Sequence, residues 1–254
     1  MKKIILCCTT MLAVWSLSAA NSKDDITAAA KKLGEQANYS WKSTVVVPDD
    51  SPFHPGPTDG KTEKDGYTYV KTSFGDNTME TVKKGDKTAF TNRDGEWETP
   101  EEAAQQGGGG FMGGMARNLR TPADQAVEVA NGVKEFKADA DVISGDLTEE
   151  AAKNQLRMRR GGPNGGDGGP TISDAKGSVK FWIKDGLLLK YELKVSGKVE
   201  FNGNEMDQDR TTTVEIKDVG TTKIEVPEAA KKKIEGTPAK PEAAPAKPEA
   251  TPAK

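Results

Sequence analysis

Residues 178–195, SVKFWIKDGLLLKYELKV, carry the most regular apolar pattern in the chain. Val179, Phe181 and Ile183 alternate on one face, and Leu187, Leu189, Tyr191, Leu193 and Val195 alternate after Lys184-Asp185-Gly186. Period-two alternation of this length predicts two half-buried strands joined by a tight turn. A two-residue Asp185-Gly186 loop sets Ile183 opposite Leu188 and Phe181 opposite Lys190, which mixes the faces. A three-residue loop with Gly186 in the left-handed position sets Ile183 opposite Leu187, Phe181 opposite Leu189 and Val179 opposite Tyr191. The second register gathers the apolar side chains on one side, so it is the expected one. It leaves Trp182 and Leu188 on the face away from the core.

The same reasoning extends along the chain. Ser22 or Asp24 caps a helix reaching about Gln36, with Ile26, Ala29, Ala30, Leu33 and Ala37 as its apolar stripe. A strand over 39–47 follows, ended by Pro48, and then a proline-rich loop over 51–57. Short strands are expected at 67–74, 79–83 and 88–92, with Gly75-Asp76 and Gly85-Asp86 in the turns. A short helix begins at Pro100. Residues 106–115 read as a flexible glycine loop carrying Phe111, Met112 and Met115, which suits a mobile cover over an apolar face.

Thr121 caps a helix with Pro122 at its first position and Gly132 just past its end. Residues 136–143 read as a strand. Thr148 opens a second helix running to Met158, and a second glycine-rich loop spans 161–170. After the long hairpin, strands are expected at 198–201, 211–217 and 221–226, and a last helix runs from Pro227 to Ile234. Strands, two inserted helices and more strands predict an α+β fold: a curved antiparallel sheet, a half-open barrel, with helices packed on its concave face.

The two ends fall outside that fold. Residues 1–20 have the form of a secretory signal peptide, with Lys2 and Lys3, an apolar run over 4–17, and Ser18-Ala19-Ala20 as the cleavage site. Cleavage after Ala20 removes Cys7 and Cys8, the only cysteines, and places the product in the periplasm or outside the cell. Residues 237–254 repeat PAKPEA and contain no aromatic or β-branched apolar residue. They are expected to form a semi-extended tail rather than part of a core. Residues 21–236 remain as one domain.

The formal net charge is −3 over 254 residues and becomes more negative without Lys2 and Lys3. The charges are interspersed, so no basic face suggests a nucleic-acid partner. His54 is the only histidine and lies in the proline-rich loop. A Ser-His-Asp triad or a histidine-based metal site is therefore not expected. The run GGGGFMGG has no Lys-Ser/Thr sequel and is not a phosphate-binding loop. Residues 202–209, NGNEMDQD, place oxygen ligands in an expected loop but lack the spacing of a calcium site. Arg157, Arg159 and Arg160 fall at a helix C-terminus, where cations are favoured. A site for an anionic lipid head is the alternative for them. No general base, metal or cofactor is indicated, and the protein is not expected to be an enzyme.

Together these segments resemble the periplasmic lipoprotein-carrier (LolA-like) fold superfamily, which includes envelope lipoprotein-sensor proteins. The resemblance is carried by NYSWKSTVVV, by GYTYVKTSF with METVKKGDKTAFTNRDGEW, by SGDLTEEAAKNQL, and by VKFWIKDGLLLKYELKVSG with TTTVEIKDVGTTKIEVP. It spans residues 21–234. It implies a half-open barrel closed by helices around an apolar cavity able to hold acyl chains. The expected function is a non-catalytic envelope protein binding a hydrophobic or amphiphilic ligand, a lipid or lipoprotein acyl chain. The candidate contacts are Phe181, Ile183, Leu187, Leu189, Tyr191, Leu193, Phe111, Met112 and Met115. The alternative is a structural or interaction protein with a filled core, whose tail spaces it from cell-wall or envelope components.

Overall fold

The computed structural model describes residues 19–51, 54–105, 110–157, 170–201 and 203–236. The expected signal peptide up to residue 18, Arg159, Arg160, the expected glycine-rich loop over 161–169 and the expected tail over 237–254 lie outside the described residues. The chain divides into two compact units.

The first unit contains α1 (Ala19–Gly34), α4 (Pro122–Asn131), β7 (Val133–Asp139), β8 (Val142–Leu147), α5 (Glu149–Leu156), β9 (Thr171–Lys184), β10 (Leu187–Phe201) and most of β11 (Asn204–Lys217). Its strands are hydrogen-bonded in the order β11-β10-β9-β8-β7, all antiparallel and open at β7. Helix α1 packs on β10, β7 and α4, and α5 packs on β9 and β10. The buried stripe of α1 is Ile26, Ala29, Ala30 and Leu33 as expected, but Ala37 lies past the helix and is exposed, and Ser22 and Asp24 lie inside α1, which starts at Ala19, rather than at its cap. Pro122 does stand at the first position of α4, as expected. Thr148 caps α5 through its Oγ1, which accepts the Ala151 N–H at 3.1 Å.

The second unit contains β1 (Asn38–Val46), β2 (Thr58–Glu63), β3 (Thr68–Phe74), β4 (Asn77–Lys84), β5 (Lys87–Thr91), β6 (Trp97–Glu98), α2 (Pro100–Gln105), α3 (Gly110–Arg117) and α6 (Glu228–Glu235). Its strands follow the order β6-β5-β4-β3-β2-β1, again antiparallel. Thr99 and Glu102 form a capping box at α2. The Thr99 N–H donates to Glu102 Oε2 at 2.8 Å, and the Glu102 N–H donates to Thr99 Oγ1 at 3.2 Å. Helix α6 buries Ala230 and Ile234 against Val82 and Ala89. Its C-terminal end is held by Glu235, which accepts from Lys84 at 2.8 Å and from the Tyr67 hydroxyl at 2.5 Å. The Lys84 bond, with that of Tyr67, keeps the Glu235 carboxyl below the usual carboxylate range.

The α+β class, the antiparallel pairing, and open, bent sheets with helices packed on them are those the sequence predicts. Several elements differ. Residues 136–143 are not one strand but parts of β7 and β8, which turn at Ala140-Asp141 with Ala140 at φ 50°. Residues 198–201 are the end of β10, and β11 begins at Asn204, so Asn204 to Asp209 are strand rather than loop. Residues 221–226 hold no strand, although one was expected there.

Strand β2 was missed because TDGKTE holds no apolar residue to reveal it. It is ordered by its neighbour instead. Gly60 pairs with Trp41, and a Cβ on Gly60 would lie 2.1 Å from the Trp41 ring. The absent side chain lets the indole lie flat across β2. Gly60→Ala is therefore expected to displace Trp41 and cost about 1–3 kcal/mol by overpacking. Chemical denaturation measures it. A variant within 0.5 kcal/mol of the parent, roughly the range of neutral surface changes, would show that Trp41 has room to move.

Candidate functional site

The β9–β10 hairpin is the element from which the sequence-based site was built, and its register differs from the expected one. Asp185 and Gly186 form a two-residue turn with φ 53° and 69°, the left-handed pair of a type I′ turn. Lys184 faces Leu187 and Ile183 faces Leu188. The register then jumps. Lys190 pairs with Trp182, and Tyr191 pairs with Phe181. Leu189 is the extra residue of a β-bulge, which restores the phase that the short turn would otherwise lose. A second irregularity, between Ser196 and Lys198, sits opposite Asp174 at φ 53°. These bulges bend and twist the hairpin.

The consequence is a corrected set of inward residues. Leu188, placed by sequence away from the core, is 0% exposed. Leu189, placed toward it, is 37% exposed, and Leu187 is half-buried. Val179, Phe181, Tyr191, Leu193 and Val195 are buried as expected. Phe181 and Tyr191 face each other with ring centroids 6.2 Å apart. The Tyr191 hydroxyl donates to Gln125 Oε1 of α4 at 2.7 Å. Trp182 is half-buried, and the Lys190 ammonium lies 4.7 Å from its ring centroid. The apolar face of the hairpin is thus occupied by the unit's own residues.

The glycine segment also differs. Residues 110–117 form helix α3, not a loop. Met112 and Met115 pack against Met79, Phe90, Ala103 and Ala116 in the core of the second unit. A Cβ on Gly113 would stand 3.7 Å from Pro100 and 3.9 Å from Phe90, ordinary van der Waals contact, so α3 lies against α2 and β5 at a spacing that an alanine there would also fit. The side chain of Phe111 and residues 106–109 lie outside the described residues. Met112 and Met115 therefore belong to a different unit from Phe181, Ile183 and Leu193.

Ile183 is the sequence-predicted residue that borders open space. It lines a cleft of about 490 Å³ in the first unit, together with Asp25, Ala28, Ala29, Lys32, Ala140, Asp141, Ile143 and Gly186. Three elements build it. Helix α1 contributes positions 25, 28, 29 and 32, which share one helical face. The β7–β8 turn contributes Ala140 and Asp141. The β9–β10 turn contributes Ile183 and Gly186. The two turns are tied by the Ile183 N–H donating to the Asp141 carbonyl at 2.9 Å. The Lys32 ammonium donates to the Asp185 carbonyl at 2.8 Å and so joins α1 to the hairpin. Sequence reasoning missed Ala28, Ala29 and Ile143 as lining residues. Ile143 was visible as a strand residue, but the turn at Ala140-Asp141 that turns β8 back was not.

The remaining chemistry is sparse. His54 is exposed, as expected. Among the described residues, no group of three or more His, Cys, Asp or Glu could hold a metal ion. Burial pushes the Arg210 guanidinium down, and its Nη2 donates to the carbonyl of Gln155 at the end of α5. Arg157 is exposed just past that helix. Among the described residues, no helix is long and apolar enough to cross a membrane.

No family model matches the chain, and no curated protein matches it. Among solved structures it is similar to the lipoprotein LppX of Mycobacterium tuberculosis, at 10% identity and a TM-score of 0.45 over 83% of this chain and 100% of that one. It is similar also to LprF from Mycobacterium bovis, at 11% identity and a TM-score of 0.42 over 83% and 98% of the two chains. A third is a DUF1329 family protein from Desulfovibrio piger, at 10% identity and a TM-score of 0.32 over 80% and 95%.

Proposed function

We propose that the protein is a non-catalytic, exported envelope protein that binds a hydrophobic or amphiphilic ligand, a lipid or lipoprotein acyl chain, in the cleft at the turn end of the β9–β10 hairpin. The cleft carries this reading. Its volume of about 490 Å³ lies within the roughly 300–1,000 Å³ typical of small-molecule sites. Ala28, Ala29, Ile143 and Ile183 give it an apolar lining, and Asp25, Lys32 and Asp141 place charge around that lining. An amphiphile matches both parts. Ile183 is the one retained member of the sequence-based contact set. Phe181, Tyr191 and Leu193 support the site from within the core rather than touching the ligand.

Export rests on the signal-peptide pattern of residues 1–20, with cleavage after Ala20. On that reading the mature domain spans residues 21–236, followed by a tail that reaches envelope or cell-wall components. The non-catalytic part of the reading rests on the sequence, where His54, the one histidine, sits in a proline-rich loop and no general base is indicated.

A second reading is favoured by a different observation. The hairpin face is filled by its own unit, with Phe181 0% and Tyr191 2% exposed. This is what a structural or interaction protein with a filled core, spaced by its tail, requires.

An uncharged apolar fluorescent probe separates the two readings. The full-length mature protein is expected to bind it saturably. Ala28→Trp fills the cleft from an exposed helical position and is expected to weaken binding at least tenfold, about 1.4 kcal/mol, with little change in Tm. Absence of saturable binding by the parent, or unchanged affinity in Ala28→Trp, would contradict the cleft and favour the filled-core reading.

A further inference from the structure

We infer that the ligand of this cleft carries a cationic, amine-type head group; the inference rests on the cleft being the ligand site proposed above. Asp25 and Asp141 enter the cleft lining from two different walls, one from α1 and one from the β7–β8 turn. Neither carboxylate has an ion-pair partner among the described residues. The lining also holds one cation, Lys32, whose ammonium donates to the Asp185 carbonyl at the far turn; that neutral acceptor leaves its charge in place, so the carboxylates of the lining exceed its cations by one.

The backbone holds this arrangement in place. Asp141 follows Ala140 in a two-residue turn, and its carbonyl is fixed by the Ile183 N–H at 2.9 Å. Asp25 lies one to two helical turns from Ala29 and Lys32 on the same face of α1. An apolar chain lying against Ala28, Ala29, Ile143 and Ile183 would bring a terminal ammonium between two carboxylates that lack a partner. An anionic head placed there would face two carboxylates against one ammonium, a net repulsion that disfavours it even where the apolar contacts are equal.

The test uses two probes with the same alkyl chain and opposite heads, decyltrimethylammonium and decanoate. Both are titrated below micelle formation in about 0.15 M salt, where the Debye length is about 8 Å and distant charges are screened. The parent is compared with Asp25→Asn/Asp141→Asn and with Asp76→Asn/Asp86→Asn. The last pair removes the same number of charges from exposed turns of the second unit and controls for net charge. The parent and the control pair are expected to favour the ammonium probe at least tenfold. Asp25→Asn/Asp141→Asn leaves Lys32 as the one charged group of the lining and is expected to lose the ammonium preference and to bind decanoate at least as well.

Equal affinities in the parent, or a preference that survives Asp25→Asn/Asp141→Asn, would overturn the head-group assignment and leave the cleft as an amphiphile site. Failure of both probes to bind would remove the site itself and the inference with it. A parallel arm presents the same trimethylammonium head on vesicles. Retention on vesicles assigns the head to a membrane lipid, and binding of the soluble probe alone assigns it to a free amphiphile; each supports a cationic head.

Discussion

Phe181→Ala is expected to lower the folding stability of the protein by about 3–5 kcal/mol, the usual cost of removing a buried phenylalanine ring. Phe181 is 0% exposed and faces Tyr191 across the hairpin. Tyr191 in turn anchors α4 through Gln125. Loss of the ring leaves a void in the centre of the first unit that α1 and α4 can fill only by moving off helical positions already packed by Ile26, Leu33, Ala126 and Val129. Urea denaturation reads the loss as a lower midpoint with an unchanged slope. A loss under about 1 kcal/mol, the centre of the distribution for ordinary point mutations, would mean that the hairpin face is open rather than filled.

The second large effect separates two neighbouring leucines. Leu188→Ala is expected to cost about 2–5 kcal/mol and Leu189→Ala about 0.5 kcal/mol or less, by the contrast between core and surface truncations. The difference follows from the bulge. Leu188 lies opposite Ile183 on the inward face, whereas Leu189 is the inserted residue and is 37% exposed. A three-residue turn would reverse the two values. The pair of variants therefore measures the register of the hairpin in solution.

That register shows where the sequence was legible and where it was not. Alternation in 178–195 correctly indicated two paired strands with one apolar face. It did not reveal a bulge, because a bulge is a one-residue change of phase, and LLL at 187–189 reads equally well either way. Asp-Gly chemistry favoured the two-residue turn, and the face pattern favoured the three-residue one. The chain satisfies both by turning tightly and then inserting Leu189.

Capping residues were reliable at Pro122 and Thr148 because they act locally. Strand β2 and helix α3 were not legible, since each depends on a partner elsewhere in the second unit. Trp41 orders a strand without apolar residues, and Phe90 with Pro100 receives a helix rich in glycine. Glycine in GGGGFMGG was read as conformational freedom, but residues 110–117 are helical and place Met112 and Met115 against the core of the second unit. The cleft was legible only at Ile183. Its other walls come from α1 and from the β7–β8 turn, and no sequence period reports that three separated segments meet.

The most direct test of the central claim is chemical-shift mapping of the mature protein with octyl glucoside, titrated below its micelle concentration. The account predicts saturable shifts concentrated at Ala28, Lys32, Asp141, Ile143, Ile183 and Gly186, with Phe181, Tyr191 and Leu193 essentially unmoved. Shifts centred on Phe181, Tyr191 and Leu193, or no saturable shifts at the cleft, would contradict it.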